Sequence, residues 1–145
     1  MTVRMRGVDL DTMSLSRTAI SANVSLSATT SATGNVAITL GPFTVENPGT
    51  YRVHVYTPSL VKGTTNVDLE LWLDGAPGTG TLLTTLSGHL AASAIPFVSD
   101  VFVNLTGGSH TLRVAGFVDA GTGTFSANNG ATGNFPNAYA VVYPT

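Results

Sequence analysis

From Thr18 onward, apolar and small polar residues alternate with a period of two, the pattern of strands that bury one face. Ile20, Ala22, Val24, Leu26 and Ala28 alternate with Ala19, Ser21, Asn23, Ser25 and Ser27, which predicts a strand over 18–28. A turn at 29–35 leads to Val36, Ile38 and Leu40. Gly41-Pro42 should break or kink that strand, because proline gives no ladder donor, and Phe43 and Val45 resume it. Asn47-Pro48-Gly49 is a turn signature. Tyr51, Val53 and Val55 then alternate with Arg52, His54 and Tyr56.

A loop is expected over 58–65. Val67, Leu69, Leu71 and Leu73 against Asp68, Glu70 and Trp72 give the clearest alternation in the chain. Asp74-Gly75 opens a turn reaching Gly80, and a short strand follows at 81–86. Residues 87–94 read as irregular or as one helical turn. Strands at 97–105 and 110–118 flank Gly107-Gly108, a hairpin signal. Residues 119–136 form a long loop with one strand around Phe125, and a last strand carries Ala138, Ala140 and Val142 against Tyr139, Val141 and Tyr143. The total is eight or nine strands and no helix long enough to cover a sheet. The economical solution is an all-β, antiparallel two-sheet sandwich.

Residues 1–17 lack this alternation and hold Arg4, Arg6, Asp9, Asp11 and Arg17. They read as an extended arm or a disordered leader, ahead of a single domain over 18–145. Met1 and its basic neighbours are not followed by an apolar stretch, so no signal peptide is read. No run approaches the roughly 20 apolar residues of a membrane span.

Composition narrows the function. Charged residues are 10% of the chain, the formal net charge is −2 and the mean hydropathy is +0.27. A surface this poor in Lys and Glu is covered by Thr, Ser, Gly and Asn, or by another protein, since charge depletion also marks interface cores. Clustered Lys and Arg of the kind that bind nucleic acid are absent, apart from Arg4 and Arg6. The lack of cysteine excludes disulfides and thiolate zinc sites.

No catalytic set is recognisable, and no enzyme activity, cofactor or metal is expected. His54, His89 and His110 have no metal-ligand spacing. Asp9-x-Asp11 and Asp68-x-Glu70 read as solvated strand faces, without further ligands nearby. There is no Gly-x-Ser-x-Gly elbow, and Gly78-x-Gly80 and Gly121-x-Gly123 are not followed by a helix. Asn23-Val-Ser and Asn104-Leu-Thr match the glycosylation sequon without a secretion signal to support it. Trp72, on one face with Asp68 and Glu70, could stack on a sugar or cover a core edge or an interface.

Three segments carry a resemblance. Phe43-Thr-Val-Glu-Asn-Pro-Gly-Thr-Tyr51-Arg-Val-His-Val55 looks like the strand–turn–strand entry of tumour-necrosis-factor-like jelly rolls. Val101-Phe-Val-Asn-Leu-Thr-Gly-Gly-Ser-His-Thr-Leu112 resembles their later hairpin, and Asn137-Ala-Tyr-Ala-Val-Val-Tyr143 their final strand. The resemblance implies a jelly roll of about eight strands and a homotrimer with inner-sheet aromatics around a threefold axis. Outward positions place His54, Tyr56, Phe102, Tyr139 and Tyr143 at that interface. With no signal peptide and no cysteine, the chain is similar to phage head decoration proteins. The expected partners are then itself and the major capsid protein, on a virion surface, after synthesis in a host cytoplasm. Arg4, Arg6, Asp9 and Asp11 would form the capsid-binding arm. The alternative is a carbohydrate- or receptor-binding tip module of a phage tail or fibre.

Overall fold

The computed structural model describes residues 14–64, 66–87, 94–128 and 136–145. Among them run ten strands: β1 (Ser16–Ala19), β2 (Val24–Leu26), β3 (Asn35–Val45), β4 (Gly49–Val61), β5 (Val67–Leu73), β6 (Thr81–Ser87), β7 (Ala94–Leu105), β8 (Gly108–Val118), β9 (Gly123–Phe125) and β10 (Tyr139–Pro144). A 3₁₀ turn at Ser31–Thr33 is the one helical element of the described residues. The first sheet runs β1-β10-β4, with β7 on the far side of β4, and β9 and β2 continue along the β10 side of β4. The second runs β3-β8-β5-β6.

The pairings are nested. β5 pairs β6, β4 pairs β7, β3 pairs β8 and β1 pairs β10, all antiparallel. One long antiparallel ribbon rolled on itself gives this order, so the chain is a jelly roll, the two-sheet antiparallel sandwich that the resemblance implied. Inward residues of both sheets fill the space between: Val53, Val55 and Leu60 from β4, Leu69 and Leu71 from β5, and Leu112 and Val114 from β8. Gly116 lets the two layers close, because a Cβ there would stand 2.9 Å from both Leu26 and Leu69.

Three strand boundaries differ from the sequence pattern. The strand expected at 18–28 is two strands, β1 on β10 and β2 on β9. Between them Asn23 Oδ1 accepts the Ala127 amide at 2.8 Å, a long-range side-chain bond where the strand changes partner. Ser16 and Arg17, read as part of the arm, are already paired with Val142 and Val141. The second difference is that Gly41-Pro42 does not end β3. It sits in a register irregularity between Leu40 and Phe43, where Gly41 takes φ +103° and any Cβ would meet the His110 carbonyl oxygen at 2.8 Å.

Third, Pro58 lies inside β4 rather than opening a loop. It falls in the shift between Thr57 and Leu60, where a missing donor costs nothing. The buried Thr57 hydroxyl closes that bulge by donating to the Ser126 carbonyl at 2.8 Å.

Leu71 is fully buried, whereas Leu82 on β6 is exposed. Leu71→Ala should lower the unfolding free energy by about 2–5 kcal/mol. Leu82→Ala should stay within about 0.5 kcal/mol. Urea titration followed by circular dichroism checks both.

Candidate binding interface

The first sheet offers its outer side to solvent, and strand parity decides what stands there. On β4 the outward residues are Arg52, His54 and Tyr56, while Tyr51, Val53 and Val55 are buried. Register sets these in rows across the sheet. Arg17, Val141, His54 and Asp100 form one row. Ala19, Tyr139, Tyr56 and Val98 form the next, and Tyr143, Arg52 and Phe102 another. The five residues expected at an interface, His54, Tyr56, Phe102, Tyr139 and Tyr143, therefore share one face.

The middle row is wired by polar contacts. Asp100 lies 3.1 Å from His54 Nδ1 through either carboxylate oxygen and 3.6 Å from Arg52 Nε. The Tyr139 hydroxyl lies 3.3 Å from His54 Nε2. With its proton on Nδ1, the imidazole donates to Asp100 and accepts from Tyr139. The Tyr139 ring packs at 5.5 Å from both His54 and Tyr56, and the Arg17 guanidinium stands 5.1 Å from its centroid. Arg52 covers Tyr143 at 4.8 Å. Such contacts are worth about 0.5–1 kcal/mol at exposed sites, and the half-exposed Arg52–Asp100 pair no more than about 1 kcal/mol. The face is held in shape mainly by its sheet.

Asp100, His54 and Tyr139 in series have the outline of a relay to a nucleophile, but the electrostatics run the other way. Burial is the largest influence on the Tyr139 phenol and pushes its pKa above the ordinary value, with Tyr143, Tyr56 and Asp100 acting in the same sense against Arg17. An activated nucleophile needs the opposite shift. Among the described residues no group of three or more His, Cys, Asp or Glu is placed to hold a metal.

Beyond the polar row the face is apolar. Phe102 keeps 65% of its surface exposed and Val98 58%. Both stand on β7, a 12-residue edge strand paired only through β4 among the described residues. Toward its start the strand is blunted by Pro96 and by the irregularity opposite Thr57–Leu60, but from Val98 to Phe102 its outward residues include one charge, Asp100.

The other sheet corrects two expectations. Asp68 is partly exposed, but Glu70 is buried and Trp72 keeps only 7% of its surface, so neither stands on a solvated face and Trp72 is closed to a stacking sugar. Glu70 Oε2 accepts from the Ser31 hydroxyl at 2.7 Å and from Trp72 Nε1 at 3.1 Å. The 3₁₀ turn and the turn at 76–80 meet above them, with Gly78 against the Ala32 carbonyl. Parity identified the outward face correctly, and what covers it comes from 39 residues away.

The pattern missed Arg17, Arg52, Val98 and Asp100. The last three share parity with His54, Tyr56 and Phe102, which was the available signal; Arg17 was obscured by its assignment to the arm. Arg4, Arg6, Asp9 and Asp11 lie outside the described residues, as does His89. His110 is buried at the far end of the sandwich against Asp74.

No protein-family model and no curated protein matches the chain. Solved structures do. A carbohydrate-binding module, CBM6cm-2, from Cellvibrio mixtus lichenase 5A in complex with cellotriose is 12% identical, over 84% of this chain and 97% of that one, with a TM-score of 0.41. The EclA C-terminal domain, a sugar-binding protein, is 13% identical over 75% and 78%, at 0.43. The C-terminal CBM6 of the laminarinase LamC from Zobellia galactanivorans is 12% identical over 84% and 99%, at 0.42. The similarity lies in the outline of the sandwich, and no site residue is transferred from it.

A buried Trp72 has a spectroscopic consequence, because it is the chain's single tryptophan. Its emission should be blue-shifted and shielded from iodide. Trp72→Ala should cost about 3–5 kcal/mol, beyond anything an exposed ring would show.

Proposed function

We propose that this chain is a non-catalytic jelly-roll module that works by assembly. It forms a homotrimer through the outer face of its first sheet, and the trimer decorates a capsid by binding the major coat protein. The observation that carries the self-association is the exposed pair Phe102 and Val98 on an edge strand that pairs only with β4 among the described residues, beside a face of tyrosines and arginines. Tyr, Phe and Arg are the residues enriched where proteins meet, and a small desolvated centre gives most of the affinity. The low charge of the chain favours the same reading. The trimeric number and the capsid partner rest on the resemblance to trimeric jelly rolls and head decoration proteins. Arg4, Arg6, Asp9 and Asp11 are the proposed coat-binding arm. Stabilisation follows from mass action, since a ligand of the assembled shell alone lowers its free energy.

A second reading is carbohydrate recognition by the same face, as in a receptor-binding tip. Tyr56 favours it: among the described residues it is the tyrosine of this face with no guanidinium over its ring, and His54 and Asp100 offer hydrogen bonds nearby. Assembly is preferred because Arg17 and Arg52 already occupy ring faces of Tyr139 and Tyr143 that a sugar would need.

Sedimentation at micromolar concentration should show a trimer, and Phe102→Asp with Val98→Asp should give a folded monomer. Wild-type protein that stays monomeric and binds an oligosaccharide such as cellotriose, with binding lost in Tyr56→Ala, would replace this reading by the second. Co-sedimentation with heads rather than tails tests the capsid step separately.

A further inference from the structure

At one end of the sandwich, where the β5–β8 ladder ends at Leu73 and Leu112, the buried side chain of His110 bridges the turn after β5 and the β7–β8 hairpin. His110 Nδ1 lies 2.8 Å from Asp74 Oδ2, and Nε2 lies 2.9 Å from the Thr106 carbonyl oxygen. Both ring nitrogens thus face acceptors. A neutral imidazole has one N–H, so it turns a lone pair toward one of these oxygens, with only a long 3.4 Å contact from the Thr106 hydroxyl to Nε2 to offset it; an imidazolium satisfies both. Asp74 is fixed in turn: its Oδ1 accepts the Thr111 amide at 2.9 Å, and its own amide donates to the Thr111 carbonyl at 2.8 Å. It holds this position at φ +54°, a left-handed conformation that aspartate tolerates better than most residues.

We propose that His110 and Asp74 form a proton-controlled latch that ties the β7–β8 hairpin to the β5–β6 turn, closed while the imidazole carries both protons and loosened when it loses one. The charged groups acting on the pair are few. On Asp74 they are His110 and, more weakly, Arg113 of β8; on His110 it is Asp74. From β3 the neighbouring groups are uncharged, the backbone at Gly41 and the residue in register with His110, Phe43.

The shifts agree with the geometry. The bond to Asp74 raises the His110 pKa above 6.5, against burial, with help from the Thr106 carbonyl. Burial opposes the Asp74 carboxylate, yet the bonds from Thr111 and His110 and the charges of His110 and Arg113 hold its pKa below the ordinary value. A raised histidine pKa gives stability that is complete below about 6.5 and lost as pH rises through the folded value. A lowered carboxylate pKa gives stability present above about 3.9 and lost as pH falls through the folded value. The latch is therefore tightest between about pH 4 and 6.5 and slackens as pH rises through the raised His110 value. Because β7 also carries Phe102 and Val98, a slack hairpin would loosen the edge used for self-association. That consequence rests on the proposed assembly, whereas the latch does not.

The test uses nuclear magnetic resonance on the whole chain, in the double Phe102→Asp, Val98→Asp background so that assembly does not interfere. His110 should titrate above free histidine, and as it does so the hairpin amides of residues 106–111 should lose protection several-fold, after correction for the intrinsic pH dependence of exchange. Asp74→Asn should return the His110 titration toward the free value and remove the pH dependence of protection. A His110 that titrates at or below free histidine, or corrected protection of residues 106–111 that is the same at pH 6 and pH 8.5, overturns the latch.

Discussion

The pairing of β4 with β7 is the interaction on which the rest of this molecule depends. β4 is the longest strand, and it is laddered on both sides, by β7 along one and by β10 and then β9 along the other. One set of its side chains, Tyr51, Val53, Val55 and Leu60, is the centre of the core. The alternate set, Arg52, His54 and Tyr56, is the centre of the outer face. The burial that holds the sheet together is thus the same constraint that lines up the exposed row, because successive residues of a strand point to opposite sides. A one-residue slip would exchange the two sets, so core and site share one register.

The two sheets handle their outer sides differently, and that difference singles out the site. Over the second sheet the chain covers itself, with the turn at 31–34 and the turn at 76–80 closing above Trp72 and Glu70. Over the first sheet the described residues supply no such cover. Tyr139 and Tyr143 are partly shielded by Arg17 and Arg52, and Phe102 and Val98 are left open. Scattered exposed apolar residues need no explanation, but two large ones on one face of an edge strand, parted only by Asp100 and next to rows of tyrosines, invite one. A chain with so few charges has little else with which to keep such an edge apart from its neighbours.

Much of this was legible from alternation. The β5 pattern Val67-x-Leu69-x-Leu71 is buried as written, and Gly107-Gly108 does join the two strands expected around it. The outward parity of His54, Tyr56, Phe102, Tyr139 and Tyr143 also held. What alternation cannot carry is anything decided by residues remote in sequence. It ran through Ser21 and Ala22 without a sign that the strand changes partner there, because that break is made by Asn23 reaching Ala127, 104 residues away. It left Trp72 open between a sugar-stacking face and a covered edge, because the turn whose Ser31 bonds its partner Glu70 is remote in sequence. Pro58 was read as the start of a loop by a sound rule, but it falls where a bulge has already removed the need for a donor, as Pro42 does at the kink expected within β3.

The same limit explains why the chemistry of the face is harder to read than its location. A strand pattern says which residues share a side and leaves their electrostatic state open. Asp100, His54 and Tyr139 in one line could belong to a hydrolase as easily as to an interface. Local physics bears on the Tyr139 end of that line. The phenol is pushed away from ionisation, and no serine or cysteine completes the line: the outward neighbours across the sheet are valine, tyrosine, arginine and phenylalanine. Groups arranged in this way give each other fixed orientations, and they present a patterned surface of rings, guanidinium groups and one carboxylate. Rings, guanidinium groups and carboxylates set out in this way are the elements by which surfaces discriminate through shape and charge.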